Sequence, residues 1–304
     1  MRIAVLGPGG VGGLVAGALD RAGESVVIVA RESTAQTISE HGLRVNSVML
    51  GDFVAHPRAI ARLEEPVDVL IVATKASGLS SALERIEVAP RLVLPLLNGL
   101  DHIAVLRERF SPETVIAGTI RVEADRPEPG VIVHSSPFLL VDMASGYPSA
   151  QAPIAALADA LQGAGVPVRM QDSEAQTMWS KLVRLNALAC TTSAYDKLLG
   201  EIRSTPELYA DFVATIEEAC AVGQAEGADD VDPQTALAEL SLAHETLGSS
   251  MQRDIAAGRP PELDAIPGAV LRAGARHGLR CPTIERLVAL IAARAGVPMP
   301  AIAR

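Results

Sequence analysis

Residues 1–23 read MRIAVLGPGGVGGLVAGALDRAG, and they decide the fold. Arg2 to Leu6 is a short aliphatic, β-branched run, the signature of a buried strand. Gly7-Pro8-Gly9-Gly10-Val11-Gly12 follows without a spacer. A helical pattern then begins, with Val11, Leu14, Val15, Ala18 and Leu19 on one face. Strand, glycine turn and helix in that order form the context the GxGxxG fingerprint requires. Gly7 permits the tight turn, Gly9 lets the backbone approach a pyrophosphate, and Gly12 lets the helix pack on the strand. The helix start adds free N–H groups and a positive dipole end for phosphates. Gly7, Gly9, Gly10, Val11 and Gly12 are therefore the expected dinucleotide-binding positions. The plainer alternative is a glycine-rich turn with no ligand.

The rest of the composition narrows the class. With 304 residues the chain is long enough for two domains, each with its own core. Aromatic residues are only 3%, so those cores must be aliphatic. A formal net charge of −10 argues against a nucleic-acid surface, though not against a local basic pocket for one nucleotide. The three cysteines, Cys190, Cys220 and Cys281, match neither a zinc pattern nor a disulfide framework, which fits a reducing cytoplasm. The histidines are scattered, so no metal site is expected. Neither a signal peptide nor a membrane span is expected.

Ser25 to Val29 is a second strand. At its end, where an acid would meet a ribose 2′-hydroxyl, stand Ala30 and Arg31. A guanidinium there suits a 2′-phosphate through bidentate, charge-assisted hydrogen bonds. Glu32 next to it is an unfavourable neighbour, and a solvated loop arginine is the alternative. Thr34 to His41 reads as a helix stopped at Gly42, followed by short strands in Leu43-RVNS and Met49-LGDFVA. Pro66-VDVLIVATK is a buried strand whose carboxyl end carries Lys75, facing the ligand crevice of an open α/β sheet. Leu92 to Leu94 is another strand, and Asn98 beside Gly99 follows it. Asn98 reads equally as a crevice residue or as a turn asparagine. Thr114-VIAGTI, Gly130-VIVH and Phe138-LLVD are β-rich and are expected to extend the sheet. Pro153 to Gln162 is read as a helix and Val166-PVRM as a last strand.

Strand signals then stop. The fold class is α/β, with a Rossmann-type dinucleotide-binding domain over 1–171 and an all-helical domain over 172–304. Ser173-EAQ is a capping-box pattern opening a helix from Glu174 to about Tyr195. Within it, Thr177, Ser180, Lys181 and Arg184 share a polar stripe, so periodicity alone reads Lys181 as solvated. Further helices are expected over Pro206–Gly227, Pro233–Gly258, Asp264–Gly278 and Thr283–Ala295, with Pro267 confined to a first turn. An apolar last helix permits a homodimer without demonstrating one.

Taken together these residues resemble the ketopantoate reductases (2-dehydropantoate 2-reductases) over nearly the whole chain. The resemblance rests on the GPGGVG turn, Ala30-Arg31, Thr74-Lys75-Ala76, Asn98-Gly99, Trp179-Ser180-Lys181-Leu182, and Ser249-Ser250-Met251-Gln252-Arg253-Asp254 leading to Glu262. It implies NADPH-dependent reduction of a 2-oxo acid, with 2-dehydropantoate to pantoate as the leading reaction, a step of pantothenate biosynthesis. Cofactor and substrate would share the cleft between two domains. By the same resemblance Lys181 is the general acid, and Glu262 contacts a substrate hydroxyl and orients the site. Asn98 and Ser250 hold the substrate, with Asn98 also at the cofactor, and Lys75 lies near cofactor and bound acid. The chemistry is consistent, because hydride arriving at a carbonyl builds an alkoxide that needs a proton donor and fixed positive charge.

The chain departs from that family at two helix positions, where the usual asparagines read Leu185 and Ala189. Asn186 falls one residue late, and one residue turns a helix face by about 100°. The identity of the substrate therefore stays open. A relative reducing another 2-oxo acid or ketone is one alternative, and a catalytically silent NADPH-binding protein is another. A hydroxy-acid dehydrogenase of the β-hydroxyacid kind is a weaker reading.

Overall fold

A computed structural model describes residues 1–302. The chain divides into two compact units, Met1–Leu97 with His102–Thr177, and Asn98–Asp101 with Met178 onward. The segment Asn98–Asp101 thus belongs with the helical part of the chain.

The first unit contains, in order, β1 (Arg2–Leu6), α1 (Gly10–Arg21), β2 (Ser25–Val29), α2 (Glu32–His41), β3 (Leu43–Ser47), β4 (Phe53–Ala55), β5 (Arg58–Ile60) and β6 (Val69–Val72). There follow α3 (Leu79–Leu83), β7 (Leu92–Pro95), α4 (His102–Arg109), β8 (Ala117–Arg121) and β9 (Ala124–Glu128). The last elements are β10 (Val131–His134), β11 (Leu140–Ala144), α5 (Gln151–Gly163) and β12 (Val168–Met170).

The main sheet is five-stranded, in the order β5-β2-β1-β6-β7, and every pairing in it is parallel. Its inner strands β2, β1 and β6, with β7, carry four-residue buried runs, as strands covered on both faces do, whereas the edge strand β5 is only partly buried. Ile3, Val5, Val26, Ile28, Val69 and Ile71 enter one core cluster. Their neighbours Ala4, Leu6, Val27, Val29, Leu70 and Val72 enter the other. That alternation is the two-residue period of the strand expressed in packing. The strand order reverses beside β1, so the glycine turn leaves the sheet at the switch point where open α/β sheets bind ligands.

The β-rich segments after β7 do not extend this sheet, contrary to the expectation from sequence. They build a four-stranded sheet, β4-β3-β10-β9, and a three-stranded sheet, β12-β11-β8. Among the described residues a single isolated bridge, Val93 to Val115, joins the chain to β7 before it turns away. The diversion follows from α1, which is buried from Gly12 to Leu19 and so needs cover on its outer side as well. Gly13 faces Ile132 of β10, and Gly17 faces Val45 of β3. β9 gave no signal because it is an edge strand containing Pro127, a residue tolerated at a sheet edge.

α6 (Glu174–Tyr195) begins in the first unit and continues into the second from Met178. The Ser173 hydroxyl accepts the Gln176 N–H at 3.3 Å, as an N-cap should. The other helices are α7 (Leu199–Ser204), α8 (Pro206–Ala225), α9 (Pro233–Ser241), α10 (Ser250–Ala256), α11 (Ala269–Arg276) and α12 (Pro282–Ala295). Trp179 of α6 packs on Gly223 of α8, where a methyl group would stand 3.1 Å from the indole. Glu218 of α8 accepts the N–H groups of Thr283 and Ile284 at 2.8 and 3.0 Å, satisfying donors that the first turn of α12 cannot pair internally.

The single helix expected over Pro233–Gly258 is two helices. Arg203 takes the carbonyls of Ser241 and Ala243 at 2.6 and 2.9 Å, ending α9. Ser249 then opens α10 by accepting the Gln252 N–H at 3.0 Å. Pro267 lies in a π-helical turn, Asp264–Gly268, that leads directly into α11. No helix among the described residues is long and apolar enough to cross a membrane.

Candidate active site and cofactor turn

In the first unit the turn is built from backbone. Gly7 has φ +92°, and its N–H donates to the Val29 carbonyl of β2 at 3.1 Å. A methyl group on Gly12 would lie 2.2 Å from the Gly7 carbonyl oxygen, and one on Gly10 would lie 2.2 Å from that of Ala124. Those two glycines are required by packing, Gly12 against the Gly7 end of the turn itself and Gly10 against β9. Gly9 differs: a methyl group there meets no protein atom within 4 Å. That open space leaves room for a pyrophosphate to approach the backbone. The first intrahelical bond runs from Gly13 N–H to the Gly9 carbonyl at 2.8 Å. The N–H groups of Gly10, Val11 and Gly12 therefore precede the helical ladder, where phosphate oxygens can accept from them. The Val11 side chain, by contrast, packs on the core.

Beside the turn, Thr74 Oγ1 is buried without a hydrogen-bond partner, and its methyl carbon is 2.8 Å from the Cβ position of Gly7. An orphaned hydroxyl beside the open glycine turn fits a bound dinucleotide. In the sequence Thr74 stands only within the Thr74-Lys75-Ala76 motif; its orphaned hydroxyl is visible only in the fold. Lys75 is exposed, at the start of a short 3₁₀ turn, Ala76–Gly78.

Arg31 is exposed at the N-cap position of α2, and no hydrogen bond or ion pair engages its guanidinium among the described residues. Glu32 does not compete for it. Its carboxylate pairs with Arg85 at 3.0 Å, and that hydrogen bond, helped by its own backbone N–H, holds its pKa below the usual carboxylate range. Arg85 is itself bound to the Ala61 carbonyl at 3.1 Å, so the acid is drawn away from Arg31.

The second unit holds the side-chain site. Lys181 Nζ donates to Asn98 Oδ1 at 2.9 Å, and Asn98 Nδ2 donates to Glu262 Oε2 at 3.0 Å. One amide thus bridges a cation and a carboxylate, its oxygen toward the positive end and its NH₂ toward the negative. All three groups are half-buried. The polar stripe on α6 is not a solvated face: Thr177 is fully buried, Ser180 and Lys181 are half-buried, and Arg184 is ion-paired with Glu239.

One turn beyond Lys181 on the same face comes Leu185 and two turns beyond it Leu188, both half-buried, and Ala189 is buried. Asn186 cannot stand in for an amide on that face. It is fully buried; its Oδ1 accepts from Cys190 Sγ at 3.5 Å. Ser249 is occupied as a cap and bonds Thr192 Oγ1 at 2.8 Å, while Ser250, the first residue of α10, remains half-buried. Sequence reasoning missed Arg272, which grips the Asn98 loop through Asp101 at 2.6 Å. No group of three or more His, Cys, Asp or Glu among the described residues could hold a metal ion. The three cysteines are buried, and loss of hydration pushes Cys220 and Cys281 up to about 12, with Cys190 raised further.

Two family models cover most of the chain. Residues 3–141 match Ketopantoate reductase PanE/ApbA, and residues 175–295 match Ketopantoate reductase PanE/ApbA C terminal. The chain belongs to the ketopantoate reductase family. It is an NADP-dependent oxidoreductase of a family that reduces a 2-oxo acid with NADPH. A 2-dehydropantoate 2-reductase of Mycobacterium tuberculosis is 31% identical over 307 residues, covering 97% of this chain and 98% of the relative. The solved 2-dehydropantoate 2-reductase of Geobacter metallireducens GS-15 is 26% identical, with a TM-score of 0.87 over 96% of this chain and 99% of that one. A D-mandelate dehydrogenase solved with NADH and anilino(oxo)acetate shares the fold, with a TM-score of 0.89 at 24% identity over 97% of this chain and 99% of that one.

Proposed function

We propose that the protein reduces 2-dehydropantoate to pantoate, with Lys181 as general acid. NADPH, when bound at the glycine turn, supplies the hydride to the carbonyl carbon. Lys181 Nζ gives a proton to the carbonyl oxygen as negative charge builds there, yielding the hydroxy acid. Asn98 and Ser250 hold the substrate, and Glu262 orients Asn98 and meets a substrate hydroxyl. On the cofactor side, the N–H groups of Gly10, Val11 and Gly12 take the pyrophosphate, Arg31 the 2′-phosphate, and Lys75 stands near cofactor and acid.

The observation that carries this reading is the Lys181–Asn98–Glu262 hydrogen-bond chain. A silent cofactor-binding protein has no use for an ammonium, an amide and a carboxylate arranged in series. A second reading has its own support. Leu185, Leu188 and Ala189 make the helix face beyond Lys181 apolar, which favours a 2-oxo acid with a branched or aromatic substituent. NADPH oxidation measured with 2-dehydropantoate beside pyruvate, 2-oxoisovalerate and phenylglyoxylate separates the readings. The highest kcat/KM is expected with 2-dehydropantoate; a preference for the apolar acids would select the second reading. Absence of turnover with any 2-oxo acid would discard both.

A further inference from the structure

Asn98 follows the last strand of the parallel sheet in sequence, yet its segment belongs to the helical unit. Two contacts hold it there. Gly99 has φ +89°, and a methyl group on it would stand 2.0 Å from the Ala265 carbonyl oxygen. The backbone of the loop therefore lies directly against the π-helical turn, a packing open only to glycine. The second contact is Arg272 of α11. Its Nη2 donates to Asp101 Oδ2 at 2.6 Å and to the Asp264 carbonyl at 2.8 Å. Its Nη1 donates to Asp264 Oδ1 at 2.7 Å and to the Ala301 carbonyl at 3.2 Å.

One guanidinium thus grips the loop that carries Asn98 and the turn that follows Glu262, and it reaches the Ala301 carbonyl as well. The turn is itself tied to Glu262, whose carbonyl accepts the Ile266 N–H at 3.0 Å, and the Gly268 N–H bonds the Leu263 carbonyl at 3.0 Å. π-helical turns of this kind recur at functional sites. The Arg272 side chain is only 19% exposed. Burial works against its charge, and the hydrogen bonds to Asp101 and Asp264 more than offset that, so its pKa is raised. An exposed ion pair would contribute little; a half-buried fork holding two chain segments is placed to set a distance.

The geometry points to Arg272 as a positioning residue: it fixes Asn98 against Glu262, and through Asn98 it fixes the Lys181 ammonium. This rests on the reading of Asn98 as part of the active site. The fork matters as well as the charge, because lysine cannot bridge two carboxylates and two carbonyls in one plane.

The test is a double-mutant cycle in the full-length protein, read as kcat, KM for the 2-oxo acid and affinity for NADPH. Arg272→Gln should lower kcat by about 10- to 100-fold, the order expected when a catalytic group is displaced by an ångström. NADPH affinity should stay at the parent value, and Arg272→Lys should recover only part of the loss. In an Asn98→Ala background Arg272→Gln should cost less than about threefold further, because coupled sites are not additive. An equal loss in both backgrounds would make Arg272 a general stabiliser and overturn the inference. So would near-parent kcat in Arg272→Gln. Should that variant fail to fold, Asp101→Asn, which keeps the Asp264 pairing, should show the same coupling to Asn98. If Asn98→Ala alone retains parent activity, the reading of Asn98 fails, and the inference falls with it.

Discussion

The two functional regions are built in opposite ways. The glycine turn proposed to take the cofactor is six consecutive residues, Gly7 to Gly12, and what it offers is backbone N–H groups and open space above Gly9. The lysine site is three side chains, Asn98, Lys181 and Glu262, brought from distant parts of the chain into one hydrogen-bond chain. A backbone site is fixed by local φ/ψ and by which positions lack a side chain. A side-chain site is fixed by packing between elements that the chain joins only through long connections. The first kind tolerates no bulk at particular positions, whereas the second tolerates substitution structurally and fails chemically.

The sharpest way to break this contrast is Lys181→Ala. Turnover should fall by about 10² to 10⁴, the usual range for general acid catalysis. Folding should survive, since alanine is the best helix former and the apolar face of α6 is untouched. Lys181→Arg should not restore turnover, because a guanidinium is too basic to release its proton. A folded Lys181→Ala protein with parent-like turnover would reduce the side-chain site to a structural network.

The glycines sharpen the same contrast within one turn. Gly12→Ala places a methyl group 2.2 Å from the Gly7 carbonyl oxygen and should lower thermal stability. The cost should be about 1–3 kcal/mol or more, as for overpacked interiors. Gly9→Ala meets no protein atom, so it should melt at the parent temperature yet bind NADPH more weakly. Equal effects of the two substitutions on melting would show that Gly9, too, is a packing glycine.

Arg31→Ala should have the most selective effect of the three. It removes a charge-assisted hydrogen bond, worth about 1.5–3 kcal/mol, and so should raise the KM for NADPH roughly 10- to 100-fold. The KM for NADH should stay nearly unchanged, because NADH lacks the 2′-phosphate. Equal use of the two cofactors by the parent enzyme would remove Arg31 from the site.

Where sequence reasoning erred, the cause was long-range in each case. The strands after β7 carry a sound period-two signal, but nothing local says which sheet they join; the need to cover α1 does. The helix expected over Pro233–Gly258 is interrupted because Arg203, from another helix, collects its carbonyls. The polar stripe on α6 reads as solvated by periodicity, yet Thr177 is fully buried, Lys181 donates to Asn98 and Arg184 pairs with Glu239.

By itself the sequence determined the strand–turn–helix that opens the chain, the change from α/β to helical composition, and the identity of the residues able to do chemistry. Those are properties of contiguous residues: hydrophobic period, absence of a Cβ, a capping hydroxyl. Only the tertiary structure decided that Asn98 stands between Lys181 and Glu262, that Glu32 turns to Arg85 and leaves Arg31 unengaged, and that Arg272 ties the Asn98 loop to the turn after Glu262. Their meeting is set by strand order, helix packing and one glycine pressed against a carbonyl, none of which has a signature along the chain.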